Sequence, residues 1–151
     1  MKMLLAVDGS VPSLRAVRWA LDLAAQGLSA DFVLVNVQEP ASLYEVVTAH
    51  DATVIEQVRG AAGADLLQPA EALLEAAGMG FESEVAGGAP EHLIVELAEN
   101  YGCDLIVMGA RGIGDPESGG LGPVAQAVLE VATLPVTVVR GAAEAAGSDA
   151  G

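Results

Sequence analysis

Short apolar runs alternate along the chain with segments in which apolar residues recur every three or four positions. An apolar run bounded by turn residues predicts a β-strand, and the longer spacing predicts one face of an α-helix. The runs place strands at 3–7, 31–37, 81–85, 105–108 and 135–139. The periodic segments place helices that begin near Ser10, Ala52, Pro90 and Pro123. Such alternation is typical of an α/β fold with a parallel sheet.

The apolar positions also predict which face of each helix is buried. The stripe of the first helix is formed by Leu14, Val17, Leu21 and Ala24. The third and last helices carry theirs at Leu93, Ile94, Leu97, Ala98 and Tyr101, and at Val124, Val128 and Val131. Glycine and proline interrupt the second helix, 52–77, at Gly60, Gly63 and Pro69, which predicts a bend or two separate pieces.

Right-handed crossovers between these strands give an open, doubly wound, five-stranded parallel sheet in the order 3-2-1-4-5, a Rossmann-like arrangement. The weakly apolar strand at 81–85 fits a sheet edge. Ligands of such sheets bind beyond the carboxyl ends of the strands where the order reverses, here between strands one and four. Asp8 ends the first strand and Gly109 follows the fourth, so we expect both in one crevice.

Length and composition indicate one α/β domain over residues 1–140. The remaining segment, 141–151, is composed mainly of alanine, glycine and acidic residues and is expected to be disordered. No run of about 18 apolar residues is present, so no membrane span is expected. The run Met1–Val7 is too short for a signal peptide and is interpreted as the first strand of a cytoplasmic protein.

The net charge is −15, from 21 acidic and six basic residues. Nucleic acids and anionic membranes bind to clustered Lys and Arg, so neither is expected as a partner. An anionic ligand must overcome this charge locally or arrive with a cation. Cys103 is the single cysteine, which rules out an internal disulfide, and its place before an apolar run predicts a small buried hydrophobe.

A glycine pattern marks the candidate ligand site. Gly109, Gly112 and Gly122 form Gly-x-x-Gly-x9-Gly between the fourth strand and the last helix. Glycines let backbone N–H groups approach a phosphate, and a helix N-terminus attracts its charge. Pro123 stands directly after the last glycine and supplies neither a hydroxyl nor an N–H.

Taken together, five segments of the chain resemble the universal stress protein family over about residues 1–140. The matching segments are Ala6–Ser10, Val35–Val37, Gly87-x-x-Pro90, 98–112 and 134–139. That family contains members that bind ATP and members that do not. The resemblance implies a binding site for ATP, ADP or AMP at Ala6, Val7, Asp8, Val37, Met108, Gly109, Arg111, Gly112, Gly122, Pro123 and Val124. Mg²⁺ is expected only as an ion that accompanies the phosphates, and no residue is assigned as its ligand.

By the same resemblance, residues 6–8 contact the nucleoside, Val37 meets adenine and the glycine loop holds the phosphates. Asp8 either binds a ribose hydroxyl or caps the loop that follows it. The family's ATP binders have Ser or Thr where this chain has Pro123. Loss of two hydrogen bonds to phosphate, at about 1.5–3 kcal/mol each, weakens binding by about two to four orders of magnitude. Between the glycines, Asp115 and Glu117 would repel phosphate unless Mg²⁺ bridges them.

The resemblance implies a stress-response regulatory or binding protein, and no catalytic residue is assigned. Two alternatives stay open: a slow ATPase or phosphotransfer enzyme that uses Asp8, and a nucleotide-free dimeric adaptor with a protein partner of unknown identity. A flavin-binding relative is a further alternative. The sequence argues against it, because no pair of aromatic residues is placed to hold the flavin ring between them. The resemblance implies a homodimer that pairs through the last strand, at Val136, Thr137, Val138 and Val139.

Overall fold

The computed structural model describes residues 1–39, 52–112 and 120–141 of the chain. Strands and helices alternate through these ranges. In chain order they are β1 (Lys2–Ala6), α1 (Val11–Ala25), β2 (Asp31–Gln38), α2 (Ala52–Ala76), β3 (Phe81–Gly87), α3 (Pro90–Asn100), β4 (Leu105–Gly109), α4 (Pro123–Val131) and β5 (Val136–Val139). Within the same ranges, no helix is both long enough and apolar enough to cross a membrane.

The strands form one parallel sheet in the order β3-β2-β1-β4-β5, which confirms the predicted topology. At the centre, Leu5 of β1 pairs with Leu34 of β2 and Val107 of β4. The strand at Phe81–Gly87 lies at an edge, as its weaker apolar character predicts. The carboxyl ends of β1, β2 and β4 therefore meet at the reversal of strand order.

Helices cover both faces of the sheet. Alternate strand residues point to opposite faces, so Leu5 and Leu34 pack with Leu67 of α2 on one face. Leu4 packs with Ile94 of α3 on the other face. The apolar run 32–35 within the strand predicted at 31–37 is fully buried, as a strand covered on both faces requires.

The buried helix faces differ in part from the predicted stripes. On α1 the buried residues are Ser13, Ala16, Val17 and Ala20, whereas Leu14, Leu21 and Ala24 are only partly buried. Small side chains let α1 lie close to the sheet, which turns the bulkier leucines toward its flanks. On α3 the predicted stripe omits the buried Val95, and Leu93 is only partly buried. Tyr101 follows the end of the helix as its C-cap residue and is also partly buried. The prediction for Val131 is wrong, since this residue ends α4 and is 37% exposed.

The second helix runs without a break from Ala52 to Ala76, so the prediction of two pieces is wrong. Pro69 stands on its exposed side, while Leu67, Ala70 and Leu74 before and after it are buried in one cluster. Continuous packing on both sides of the proline holds the helix together. A bend there stays a prediction, and residues 40–51 and 142–151 lie outside the described ranges.

Candidate functional site

A cavity of about 290 Å³ lies where the carboxyl ends of β1, β2 and β4 meet. Most of the predicted site residues line it: Ala6, Val7, Asp8, Val37, Met108, Gly109, Arg111, Gly112, Pro123 and Val124. Gly122 does not line the cavity but is the N-cap residue of α4. Two distant parts of the sequence therefore converge in space, as the strand order predicts.

Other lining residues were not among the sequence predictions: Ser13, Val35, Glu39, Pro90, Ile94, Ala110 and Ala125. Each is a near neighbour of a predicted position or lies in the first two turns of a helix. Pro90 begins α3 on the side of the sheet where the carboxyl ends of the strands lie, and Glu39 directly follows β2. Their position after a strand or at a helix start was the available signal, because those ends face the crevice in a parallel sheet.

The β2 side of the cavity is apolar. Val35 and Val37 at the end of β2 face it together with Ile94 of α3. Ile94 and Val35 belong to the hydrophobic cluster on that face of the sheet, and Val37 packs against it. This wall offers a flat aromatic ring dispersion contacts and the exclusion of water.

The loop after β1 is held by its own hydrogen bonds. Ser10 donates to Asp8 Oδ1 through its N–H, at an N···O distance of 2.9 Å, and through its hydroxyl. Ser10 Oγ also accepts the Ser13 N–H and so caps α1. The tight turn at Gly9, with φ +85°, requires a residue that tolerates the left-handed region. Asp8 therefore caps this loop and also lines the cavity.

Asn36 connects the end of β1 to α2. Its Nδ2 donates to the Val7 carbonyl oxygen at 2.9 Å, and the side chain is buried. That bond fixes the amide orientation and leaves Asn36 Oδ1 buried, with no hydrogen-bond partner among the described residues. A Cβ on Gly63 of α2 would lie 2.9 Å from this oxygen and 2.4 Å from Val85 Cγ1. Glycine at position 63 thus lets α2 pack closely against β2 and β3.

The β4 side of the cavity is a glycine turn followed by a helix start. A Cβ on Gly109 would lie 2.8 Å from the backbone C and O atoms of Pro12, so the first turn of α1 packs on this glycine. The Ala110 N–H donates to the Val139 carbonyl oxygen at 3.0 Å. The Ala110 carbonyl oxygen in turn accepts the Gly122 N–H at 2.7 Å. These bonds join β5, the cavity wall and the start of α4.

Charged groups on the lining are mainly acidic. Asp8 and Glu39 contribute carboxylates, and Arg111 contributes a partly buried guanidinium. Among the described residues, no group of three potential metal-ligating side chains forms. Asp115 and Glu117, the carboxylates expected to repel phosphate unless Mg²⁺ bridges them, lie outside the described ranges.

Comparisons with known proteins agree with this architecture. The model of the universal stress protein family matches residues 1–140. The universal stress protein YxiE of Bacillus subtilis is 33% identical over 150 residues, a match that covers 92% of this chain and 98% of that protein.

Solved structures show the same fold. A universal stress protein in complex with cAMP is 28% identical, with a TM-score of 0.63 over 92% of this chain and 95% of that one. A family member from Arabidopsis thaliana with AMP bound is 21% identical, with a TM-score of 0.67 over 99% of this chain and 97% of that one. The family match over residues 1–140 and the YxiE identity confirm the resemblance: the chain belongs to the universal stress protein family.

Proposed function

We propose that this chain is a cytoplasmic stress-response regulatory protein that binds an adenine nucleotide in the cavity and carries out no catalysis on it. One observation supports this most. The same cavity has an apolar wall at the end of β2 and a glycine turn with a helix N-terminus at the end of β4. An adenine ring fits the first surface and a phosphate the second. With β1 between them, the two surfaces lie about 10 Å apart, which is two strand spacings.

The solved relative with cAMP supports an adenine nucleotide as the ligand class. That protein is 28% identical to this chain and matches it over almost the whole length. Its ligand carries a purine ring and a phosphate, the two groups that match the apolar wall and the glycine turn of this cavity. The AMP-bound protein from Arabidopsis thaliana shares the fold in which such a ligand is held.

In this proposal the predicted residues divide into three groups. Val37 contacts adenine, and residues 6–8 contact the ribose, with Asp8 as the group that accepts a hydroxyl hydrogen bond. The turn Gly109–Gly112 and the start of α4 face the phosphate. ATP, ADP and AMP all share these contacts, and Mg²⁺ would accompany the polyphosphates.

Two features of the phosphate side reduce affinity. Pro123 opens α4 and has no N–H to donate. The Gly122 N–H already donates to Ala110, so it adds nothing to a phosphate unless the turn rearranges. Loss of each hydrogen bond to a charged group costs about 1.5–3 kcal/mol, which is about one to two orders of magnitude in Kd.

Calorimetric titration with AMP and with ATP plus Mg²⁺ tests the proposal. We expect saturable binding by the natural protein, tighter binding by Pro123→Ser and loss of binding in Val37→Asp, which places a charge in the apolar wall. Gly60→Ala is the control, because this position does not line the cavity and is expected to bind as the natural protein does. Absence of binding by both the natural protein and Pro123→Ser would refute nucleotide binding in this cavity.

We further propose that two copies pair through β5. This strand is at the sheet edge, and Val136, Thr137, Val138 and Val139 are all partly exposed in the single chain. Leu129 and Val131 of the preceding helix are 44% and 37% exposed, which adds to the exposed apolar surface of the single chain. Pairing with a second copy would give hydrogen-bond partners to the backbone N–H and C=O groups of this edge strand and would cover these side chains. A mass measurement by light scattering should give a dimer at micromolar concentration, and Val138→Lys should give a monomer of unchanged helix content; a monomeric natural protein would contradict the pairing.

A further inference from the structure

The balance of charge in the cavity is unusual for a site that takes a polyphosphate. Among the described lining residues, Asp8 and Glu39 are acidic and Arg111 is the base. Arg111 is also the only base between residues 105 and 139, the part of the chain that contains the glycine motif. With a net charge of −15 on the whole chain, little positive potential is available to offset several phosphate charges.

Within the described residues, part of the backbone on the phosphate side offers no donor to offset this charge. Three groups at the phosphate side are unavailable: the Ala110 N–H donates to Val139, the Gly122 N–H donates to Ala110, and Pro123 has none. The cavity volume of about 290 Å³ is also at the lower limit of small-molecule sites, which span about 300–1,000 Å³. Both observations favour a ligand with one phosphate and a low charge.

We propose, as an extension that rests on the nucleotide-binding function above, that the cavity selects among adenine nucleotides by charge. Monoanionic 3′,5′-cyclic AMP binds most tightly of the phosphorylated ligands, dianionic AMP less tightly and tetraanionic ATP least. Asp8 is tied into its loop through Ser10, so Glu39 is the acidic residue that can be neutralised without disturbing the site's backbone. Glu39 is therefore assigned as a residue that sets this preference.

The size of the Glu39 effect follows from its position. Glu39 directly follows β2, and the phosphate side is at the end of β4, about 10 Å away by strand spacing. At this distance in water each pair of like charges repels weakly, but the four charges of ATP add together. At low ionic strength, where the screening length is about 30 Å, Glu39→Gln should strengthen ATP binding by about fivefold and cAMP binding by less than about twofold.

A titration series of adenosine, cAMP, AMP and ATP without Mg²⁺, at low and at high salt, tests this selection. We expect affinity to fall from cAMP to AMP to ATP, and the gap between cAMP and ATP to narrow at high salt because salt screens the repulsion. The matched control is Asp31→Asn, which removes the same charge at the opposite end of β2 and should leave the gap unchanged.

The outcomes separate the two proposals. Binding of ATP as tight as that of cAMP at low salt would overturn charge selection while leaving the nucleotide function intact. If the difference in affinity between cAMP and ATP did not change with salt, or were the same in Glu39→Gln, the preference would be assigned to ligand size. Either result would also overturn charge selection. Failure of all four ligands, adenosine included, would overturn the nucleotide function and this inference together.

Discussion

Two glycines in the same helix should respond in opposite directions to the same substitution. Gly60 and Gly63 both lie within α2, where glycine costs about 0.5–1 kcal/mol relative to alanine. A Cβ on Gly60 meets no atom of the described residues within 4 Å. A Cβ on Gly63 would lie 2.4 Å from Val85 Cγ1 and 2.9 Å from Asn36 Oδ1, and something must move.

The difference between the two variants isolates the packing cost, because the change in helix propensity is shared. Val85 is β-branched and stiff, and Asn36 is held by its bond to Val7, so neither yields easily. Forcing an extra methyl group into a packed region costs about 1–3 kcal/mol. Gly60→Ala should therefore stabilise the protein by about 0.5–1 kcal/mol, and Gly63→Ala should be less stable than Gly60→Ala by about 1–3 kcal/mol.

Thermal unfolding of the two purified variants measures this difference. For a chain of this length, 1 kcal/mol corresponds to about 2–4 °C, so the two Tm values should differ by about 2–12 °C. A third protein, Gly63→Ala with Val85→Ala, removes the main clash and should recover stability relative to the sum of its single changes. Equal stability of Gly63→Ala and Gly60→Ala would contradict the close packing of α2 against β2 and β3 at this position.

Three further experiments test other parts of the structure. Gly109→Ala forces the methyl group against the Pro12 backbone, so it should lower the urea midpoint and weaken nucleotide binding together. The hydrogen bond to Glu84, with burial, raises the pKa of Tyr101 to about 12. Because the unfolded state loses this proton first, near pH 10, stability should fall as the pH rises from about 10 to 12, and Tyr101→Phe should remove that part of the fall in the urea midpoint. Burial raises the pKa of the Cys103 thiol, so alkylation at pH 8 should be slower in the folded protein than in denaturant, and equal rates would contradict its partly buried position.

The sheet order could be predicted from the sequence because strands and helices alternate and crossovers have a fixed hand. The same topology places the ends of β1 and β4 together, which is why Asp8 and Gly109 were predicted to share a crevice. Helix faces were less well predicted. On α1 the buried surface includes Ala16 and Ala20, because small residues allow the helix to pack closely on the sheet. A prediction based on the large apolar residues therefore places the buried face slightly to one side of these alanines.

The contacts that shape the cavity could not be predicted from local patterns. The Asn36–Val7 hydrogen bond joins residues 29 positions apart, and the fit of Gly63 depends on Val85 of another strand. The Gly122 N–H was expected to face a phosphate, but it donates to Ala110. Each of these contacts joins residues that are far apart in the sequence. The helix and strand periodicities used for prediction give no information on such pairs.

The packing of Pro12 on Gly109 bears on how phosphate-binding motifs should be read in related chains. Glycine is required at position 109 by the adjacent backbone whether or not a nucleotide is bound. Selection for folding alone will therefore retain it during evolution, even in a lineage that has abandoned its ligand. Position 123 has no such constraint, because proline starts the helix as well as serine does. Among descendants of a common ancestor, the loss of ligand binding should thus be recorded first at the start of α4, while the first glycine of the motif survives as a feature of the fold.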